Sequence, residues 1–432
     1  MRRLAPALVL VCAASLVGVA TARAQAPAKP PAQPPLQSPA ETPPAVHKPR
    51  IYDFTVTARI VPTERAAHVT LELGRGAQNV KRLRFRIDPQ RHLLFRGDGS
   101  VVVEGAHVTW IPPRTGGQLH YVFRIDHLRD ARRYDARCAK TWAIYRGEDL
   151  VPQARVLSED GARSRTRLRM RLPEGWSMAT PYAKLRGGLY RVEHPRRRFD
   201  RPTGWMIAGV LGAIREEVAG VRVAIVGPRG AGVHRQDVLA LLRWTLPSLR
   251  EAFQSLPDRL LVVSAGDPMW RGGLSGPGSL FLHAHRPLIT EDGTSPILHE
   301  VVHTALRLSP GSDGDWAIEG LAEYYSLEIL GRSGTMSPER LQHAYEMLAK
   351  RGADAAHLRS KSVSGAGTAR AVTVLRALDQ RIRDATDQTR GIDDITRLLV
   401  REGGTVTTAR VQELAQQVSG QDLSGFFKSQ VP

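Results

Sequence analysis

The sequence predicts an α+β multidomain chain: an N-terminal antiparallel β-sandwich, a mixed second half, and a set of C-terminal helices. Three observations carry this. Apolar and polar residues alternate along short runs from Tyr52 to about Val226, the period of half-buried strands. After Gly227 the apolar spacing lengthens to that of helices. Within that second half lies a two-part motif, His299-Glu300-Val301-Val302-His303 and then Glu319.

The first residues read as a targeting segment. Met1-Arg2-Arg3 is basic, Leu4 to Ala20 is apolar, and Ala22-Arg23-Ala24 is a small-x-small cleavage site, with Ala24-Gln25-Ala26 as an alternative. Residues 1–24 are therefore expected to be a cleaved signal peptide and the mature protein to be exported, into a periplasm or beyond. Acylation at Cys12 is the alternative, set against the poor match of Val9-Leu10-Val11 before it. Residues 25–50 carry Pro30-Pro31, Pro34-Pro35 and Pro43-Pro44 among Ala, Gln and Ser, the composition of an extended linker.

Residues 51–226 form the β-sandwich domain. Phe54 to Ile60, Val69 to Leu73, Leu83 to Ile87 and Tyr121 to Ile125 alternate cleanly, and Val101 to Ile111 reads as a hairpin around Glu104-Gly105. Trp110, Trp142, Tyr145 and Trp176 read as core ahead of a ligand groove. Residues 227–335 open with a helix over Asp237 to Phe253, kinked or split at Pro247. Strands follow at Leu260 to Val263 and Ser279 to Leu282, and the His283-Ala284-His285 that follows is placed on a surface loop. Residues 336–432 hold helices over Pro338–Lys350, Ala369–Thr386, Ile392–Arg401 and Thr408–Gln417, the last capped by Thr407.

The paired motif carries the chemistry. Two His four residues apart on a helix project from one face, one turn apart, so both imidazoles reach a single metal ion. Glu300, next to the first of them, is placed to accept a proton from an attacking water. Glu319, 16 residues after His303, follows the turn-rich stretch Leu308 to Asp315 and completes a His2Glu set with one position open. With 14 His in 432 residues, the five-residue half alone arises by chance in about 2 or 3 chains per hundred. The second half, Glu319-Gly320-Leu321-Ala322-Glu323-Tyr324-Tyr325, makes coincidence much rarer. The bland alternative is a buried amphipathic helix with two satisfied His. Glu323, one turn after Glu319, has the phase to orient a ligand His, and Asp315 is a weaker candidate for that duty.

These residues resemble the gluzincin zinc metallopeptidases, most closely the glycyl aminopeptidase family. The resemblance runs from about residue 50 to 430 and is strongest from about 290, the tail Val418-Ser419-Gly420-Gln421-Asp422-Leu423-Ser424-Gly425-Phe426-Phe427 included. It implies an N-terminal β domain, a thermolysin-like zinc catalytic domain at 227–335 and a helical domain at 336–432. It also implies one Zn2+ per chain on His299, His303 and Glu319, with Glu300 as general base and a peptide or protein as substrate. The chain departs from the family in three places. Thr368 and Arg370 stand where a Tyr-x-Lys-Gly motif supplies an oxyanion donor, a contribution of about 3 kcal/mol. Arg370 or Tyr345 are the candidate substitutes, with His343 beside them. Gly272 to Gly278 lacks the Glu of the Gly-x-Met-Glu-Asn motif that holds a substrate's amino group. No appended PDZ domain is expected after Pro432.

Composition bounds the partners. A net charge of +19, mostly Arg, gathers in Arg82 to Arg86, Arg163 to Arg171 and Arg196-Arg197-Arg198. No nucleic-acid-binding module accompanies it. The charge reads as the solvated face of strands, or as peripheral contact with an anionic envelope surface. After cleavage Cys138 is the only Cys, so packing rather than a disulfide stabilises the fold. The readings that follow are an exported zinc peptidase or, as the alternative, a catalytically weakened homologue acting as an envelope binding protein.

Overall fold

The computed structural model describes residues 50–193, 199–355 and 357–432. The expected signal peptide with Cys12, the linker up to residue 49 and the Arg196-Arg197-Arg198 run lie outside the described residues. The alternating runs become strands whose buried positions fall every second residue, as in Ile51–Val61 and Arg163–Arg171. They build a seven-stranded sheet in the order Ala183–Lys184, Leu189–Val192, Arg163–Arg171, Ile51–Val61, Ala66–Leu73, Gly117–Arg124, His92–Gly97. A four-stranded sheet contains the Ser100–Glu104 and His107–Ile111 hairpin. The inner faces of both sheets meet in one core, where Phe54, Val56 and Leu71 join Leu83, Phe85 and Trp110. Each such side chain contributes about 1.5–3 kcal/mol on burial.

The sandwich is not wholly antiparallel. Ile51–Val61 pairs in parallel with Arg163–Arg171, with Asp53 opposite Arg165 and Thr57 opposite Arg169. A parallel pairing requires a long crossover, and here most of the β domain intervenes between the two strands. On the outward side of that strand Arg163, Arg165, Arg167, Arg169 and Arg171 are all exposed.

A further five-stranded sheet separates the two halves: Ser177–Ala179, Trp205–Gly209, Trp142–Arg146, Tyr134–Cys138, His127–Leu128. Its side chains alternate between two cores. Ala143, Tyr145, Met206 and Ala208 belong to the β domain. Ile144, Trp205 and Ile207 pack against Val263, Met269 and Phe281 of the second half. Cys138 is buried in the β-domain core, where burial pushes its thiol up to about 12, with the nearby Asp126 charge adding to the effect.

The second half centres on a mixed five-stranded sheet ordered Leu211–Val218, Val221–Pro228, Arg259–Ala265, Ser279–His283, Gly273–Gly276. Two expectations are corrected here. The change of domain expected at 226/227 falls inside a strand of this sheet. The helix Arg235–Phe253 runs unbroken through Pro247, because Leu242, Leu246, Leu249 and Phe253 bury one continuous face. Helices Pro296–Leu306 and Asp315–Arg332 cover the sheet, followed by Pro338–Gly352, Ala366–Ala385, Ile392–Glu402, Thr408–Ser419 and Ser424–Gln430. Thr407 Oγ1 accepts from Arg410 N at 3.2 Å as the cap of the helix it precedes. No helix among the described residues is long and apolar enough to cross a membrane.

The helix bearing Glu319 is held by close approach at Gly320. A methyl group there would lie 2.8 Å from Ala371 Cβ and 3.0 Å from Leu375 Cδ1 of helix Ala366–Ala385. Gly320→Val is expected to lower stability by about 1–3 kcal/mol by overpacking. Urea unfolding monitored by circular dichroism checks this, and an unchanged midpoint would show that the two helices separate freely.

Candidate metal centre

The helix Pro296–Leu306 starts where local chemistry demands. Ser295 Oγ accepts from Leu298 N at 3.4 Å and donates to Leu288 O at 2.7 Å, and Pro296 occupies the first turn. The helix stops at Arg307 in the left-handed region. Ile297, Leu298, Val301, Val302 and Ala305 are buried, which leaves His299, Glu300 and His303 on the partly open side. The second helix, Asp315–Arg332, is anchored by Trp316, whose indole donates to Thr408 Oγ1 at 3.0 Å.

The three expected ligands converge. His299 Nε2 and His303 Nε2 are 3.1 Å apart. Glu319 Oε2 lies 3.5 Å from His299 Nε2, and Glu319 Oε1 lies 3.4 Å from His303 Nε2. A four-coordinate zinc with bonds of about 2.0–2.1 Å sets its ligand atoms about 3.3–3.4 Å apart. The donor set and its spacing therefore fit one zinc ion. Behind His299, Glu323 Oε2 lies 2.9 Å from Nδ1. That contact fixes the proton on Nδ1 and turns Nε2 toward the shared point.

The electrostatics favour positive charge at this point. Burial alone would lower the pKa of His299. Hydrogen bonds with Glu319 and Glu323, and the charges of Glu323 and Glu300, outweigh it and raise the pKa to about 10. Burial alone would raise Glu319, but hydrogen bonds from His299 and His303 hold it at about 2. Glu319 and Glu323 thus stabilise positive charge on the His299 imidazole that stands between them, and Glu319 adds negative charge at the point the two Nε2 atoms share.

Glu300 faces the other way, toward the sheet. A side-chain carbon on Gly273 would sit 3.0 Å from Glu300 Cγ and 3.1 Å from Oε1. Gly273 opens the strand Gly273–Gly276, the outermost of its sheet. Two of the residues expected to replace the missing oxyanion donor have other hydrogen-bond partners. Tyr345 is buried and donates its hydroxyl to Glu328 Oε1. Glu328 lies nine residues beyond Glu319, roughly 13 Å along the helix axis. Arg370 donates from Nη2 to Gln430 Oε1 at 2.9 Å. His343 is exposed on its helix. Asp315 accepts from Val363 N at 2.6 Å instead of reaching a ligand His.

A second group, Asp267, His283 and His285, also brings ligand atoms together. The expected surface loop holds for His285, exposed in the turn after the strand, but not for His283, which ends the strand Ser279–His283 and is buried. Its Nδ1 accepts from His285 N at 3.2 Å, so Nε2 carries the proton and faces Asp267 Oδ1 at 3.5 Å. Asp267 is bound through both oxygens by Arg271. The charge of Asp267 is met by Arg271, while the buried His283 Nε2 has no hydrogen-bond partner among the described residues.

Sequence reasoning missed the edge strand itself. Gly273-Leu274-Ser275-Gly276 has little strand propensity, and the expected strand at Ser279 to Leu282 lies inside the sheet beside it.

Among solved structures, the aminopeptidase N family protein from Idiomarina loihiensis superposes with a TM-score of 0.66 at 15% identity, over 88% of this chain and 76% of that one. The M1 zinc metallopeptidase from Deinococcus radiodurans gives a TM-score of 0.58 at 18% identity, over 89% and 93%. The chain has the fold of the M1 zinc metallopeptidases. A mutant of the Deinococcus radiodurans M1 enzyme, bound to a Tyr-Ser-Ala substrate, matches this M1 fold at a TM-score of 0.57 and 17% identity, over 89% and 94%. No protein-family model matches the chain, and no curated protein matches it.

Replacing Glu323 by Ala is expected to weaken zinc binding about 10–100-fold, because His299 loses the partner that orients it. Competition with a chromogenic chelator measures this. Wild-type affinity in the variant would remove Glu323 from the centre.

Proposed function

We propose that this chain is an exported zinc-dependent peptidase that hydrolyses peptide bonds, with Glu300 as general base. The observation that carries the reading is the convergence of His299, His303 and Glu319 at tetrahedral spacing, with Glu300 beside them and no part in that spacing. A purely structural zinc site has no use for such a carboxylate. The fold shared with M1 zinc metallopeptidases, one of them bound to a tripeptide substrate, agrees with it.

The chemistry that zinc supplies when bound is Lewis acidity, which polarises a carbonyl and acidifies a water. The chain's own residues do the rest. Glu319 and the imidazoles hold the charge in place, with Glu323 fixing the tautomer of His299. Glu300 takes the proton of the attacking water and returns it to the leaving amine. The outermost strand, with Gly273 against Glu300, lets an extended peptide lie over the base without a side chain between them. The signal-like N-terminus supports export.

One observation favours the alternative, a catalytically weakened homologue that binds at the envelope. Tyr345 and Arg370 are committed to Glu328 and Gln430, so neither supplies an oxyanion donor. The exposed arginines of Arg163–Arg171 would provide the attraction to an anionic surface.

Glu300→Gln separates the two. On the peptidase reading this variant keeps its zinc and loses at least 100-fold in kcat/KM on a peptide library. Equal rates for variant and wild type would remove Glu300 as the base, and absence of cleavage by zinc-loaded wild type would favour the alternative.

A further inference from the structure

The seam between the separating sheet and the outermost strand holds a feature that the metal chemistry does not use. Three guanidiniums lie there, each over an aromatic ring. Arg129 stands 3.9 Å from the ring centroid of Trp270, Arg137 4.7 Å from Tyr134, and Arg146 4.7 Å from Trp205. The aromatic rings are tied to the strand that carries Gly273. Trp205 Nε1 donates to Leu274 O at 2.8 Å. Trp270 N donates to Tyr134 O at 2.8 Å. The Trp270 ring lies so close over Gly272 that a side chain there would fall 1.9 Å from Cη2. The next residue, Gly273, touches Glu300. A continuous run of contacts therefore links the base to all three stacks.

None of the three guanidiniums forms a salt bridge among the described residues. The acids on the same segments are engaged elsewhere. Asp126 ion-pairs with Arg65 and accepts from Cys138 N, and Asp130 accepts from Arg132 N and Arg133 N. Asp135 bonds His127, and Asp267 bonds Arg271. Arg129 is exposed, and Arg137 and Arg146 are partly exposed. An arginine held on a ring has lost side-chain freedom already while its N–H edge stays available, which suits it to bind a carboxylate. The same strand carries no acid in Gly272-Gly273-Leu274-Ser275-Gly276-Pro277-Gly278 with which to hold a substrate ammonium.

We infer that the edge along Gly273–Gly276 is a subsite for carboxylate-bearing peptides, with Arg129, Arg137 and Arg146 as its specificity-determining residues. This rests on the peptidase reading of the centre. Two sources present the same chemistry, an acidic side chain near the scissile bond and a free C-terminal carboxylate.

The test uses the zinc-loaded full chain and internally quenched peptides of one sequence. Glu or Gln flanks the scissile bond, and each peptide has a free or an amidated C-terminus. The carboxylate form is expected to be cleaved with kcat/KM about tenfold or more above its neutral match. The gap should narrow as salt is raised. Whether the gap follows the side chain or the chain end identifies the source. The triple variant Arg129→Gln, Arg137→Gln, Arg146→Gln is expected to bring the ratio close to one. Its circular dichroism spectrum and zinc content check folding, and the three single variants, each lowering the ratio, serve if the triple does not fold. A ratio near one in the wild type, or a ratio that survives the substitutions, overturns the inference. If no peptide is cleaved, the peptidase reading fails on its own. The same peptide pairs are then compared by fluorescence anisotropy on the wild type. Tighter binding of the carboxylate forms supports the subsite, and equal binding overturns it.

Discussion

Two carboxylates one helical turn apart, Glu319 and Glu323, are pressed against a single imidazole, and much of the second half exists to keep them there. Partly buried acids so close to one another repel unless positive charge stands between them. His299 stands there, touching both, with His303 completing the group from one turn further along its own helix. The arrangement demands that two helices hold their register closely. Gly320 allows the close crossing with helix Ala366–Ala385, and Trp316 locks the first turn to Thr408. The C-terminal helices therefore act as a clamp on the centre, far from it in sequence and joined to it by packing.

The β half has a different bearing on the centre. Its separating sheet gives one face to the sandwich core and the other to the seam over the metal helix. A strand can serve two cores only because its side chains alternate with a period of two. This places residues from Arg129 to Arg146 beside the strand that starts at Gly273, so that both halves contribute to that seam. Next to that strand Asp267 is held by Arg271, and His283 Nδ1 accepts from His285 N.

What was legible in the sequence follows the strength of each local rule. His299 and His303 could be read because a spacing of four on a helix is a fixed geometry, and Glu319 because a turn-rich stretch brings the next helix back. Glu323 follows from the same phase, one turn on. The strands from Phe54 to Ile125 showed through strict alternation. The parallel pairing of Ile51–Val61 with Arg163–Arg171 did not, since no local pattern encodes which distant strand is the neighbour. Pro247 misled because a buried helical face outweighs one lost hydrogen bond. The edge strand was hidden by glycine and serine, and Tyr345 and Arg370 are polar groups whose partners, Glu328 and Gln430, only the tertiary fold supplies.

The central claim is that His299, His303 and Glu319 hold a metal ion. Its most direct test is the zinc content of the protein purified without added metal, by mass spectrometry against protein concentration, beside a Glu319→Ala variant. The account predicts about one zinc per chain in the wild type and a large loss in the variant. A folded wild type that neither carries zinc nor takes it up, or a variant that retains full stoichiometry, would contradict it.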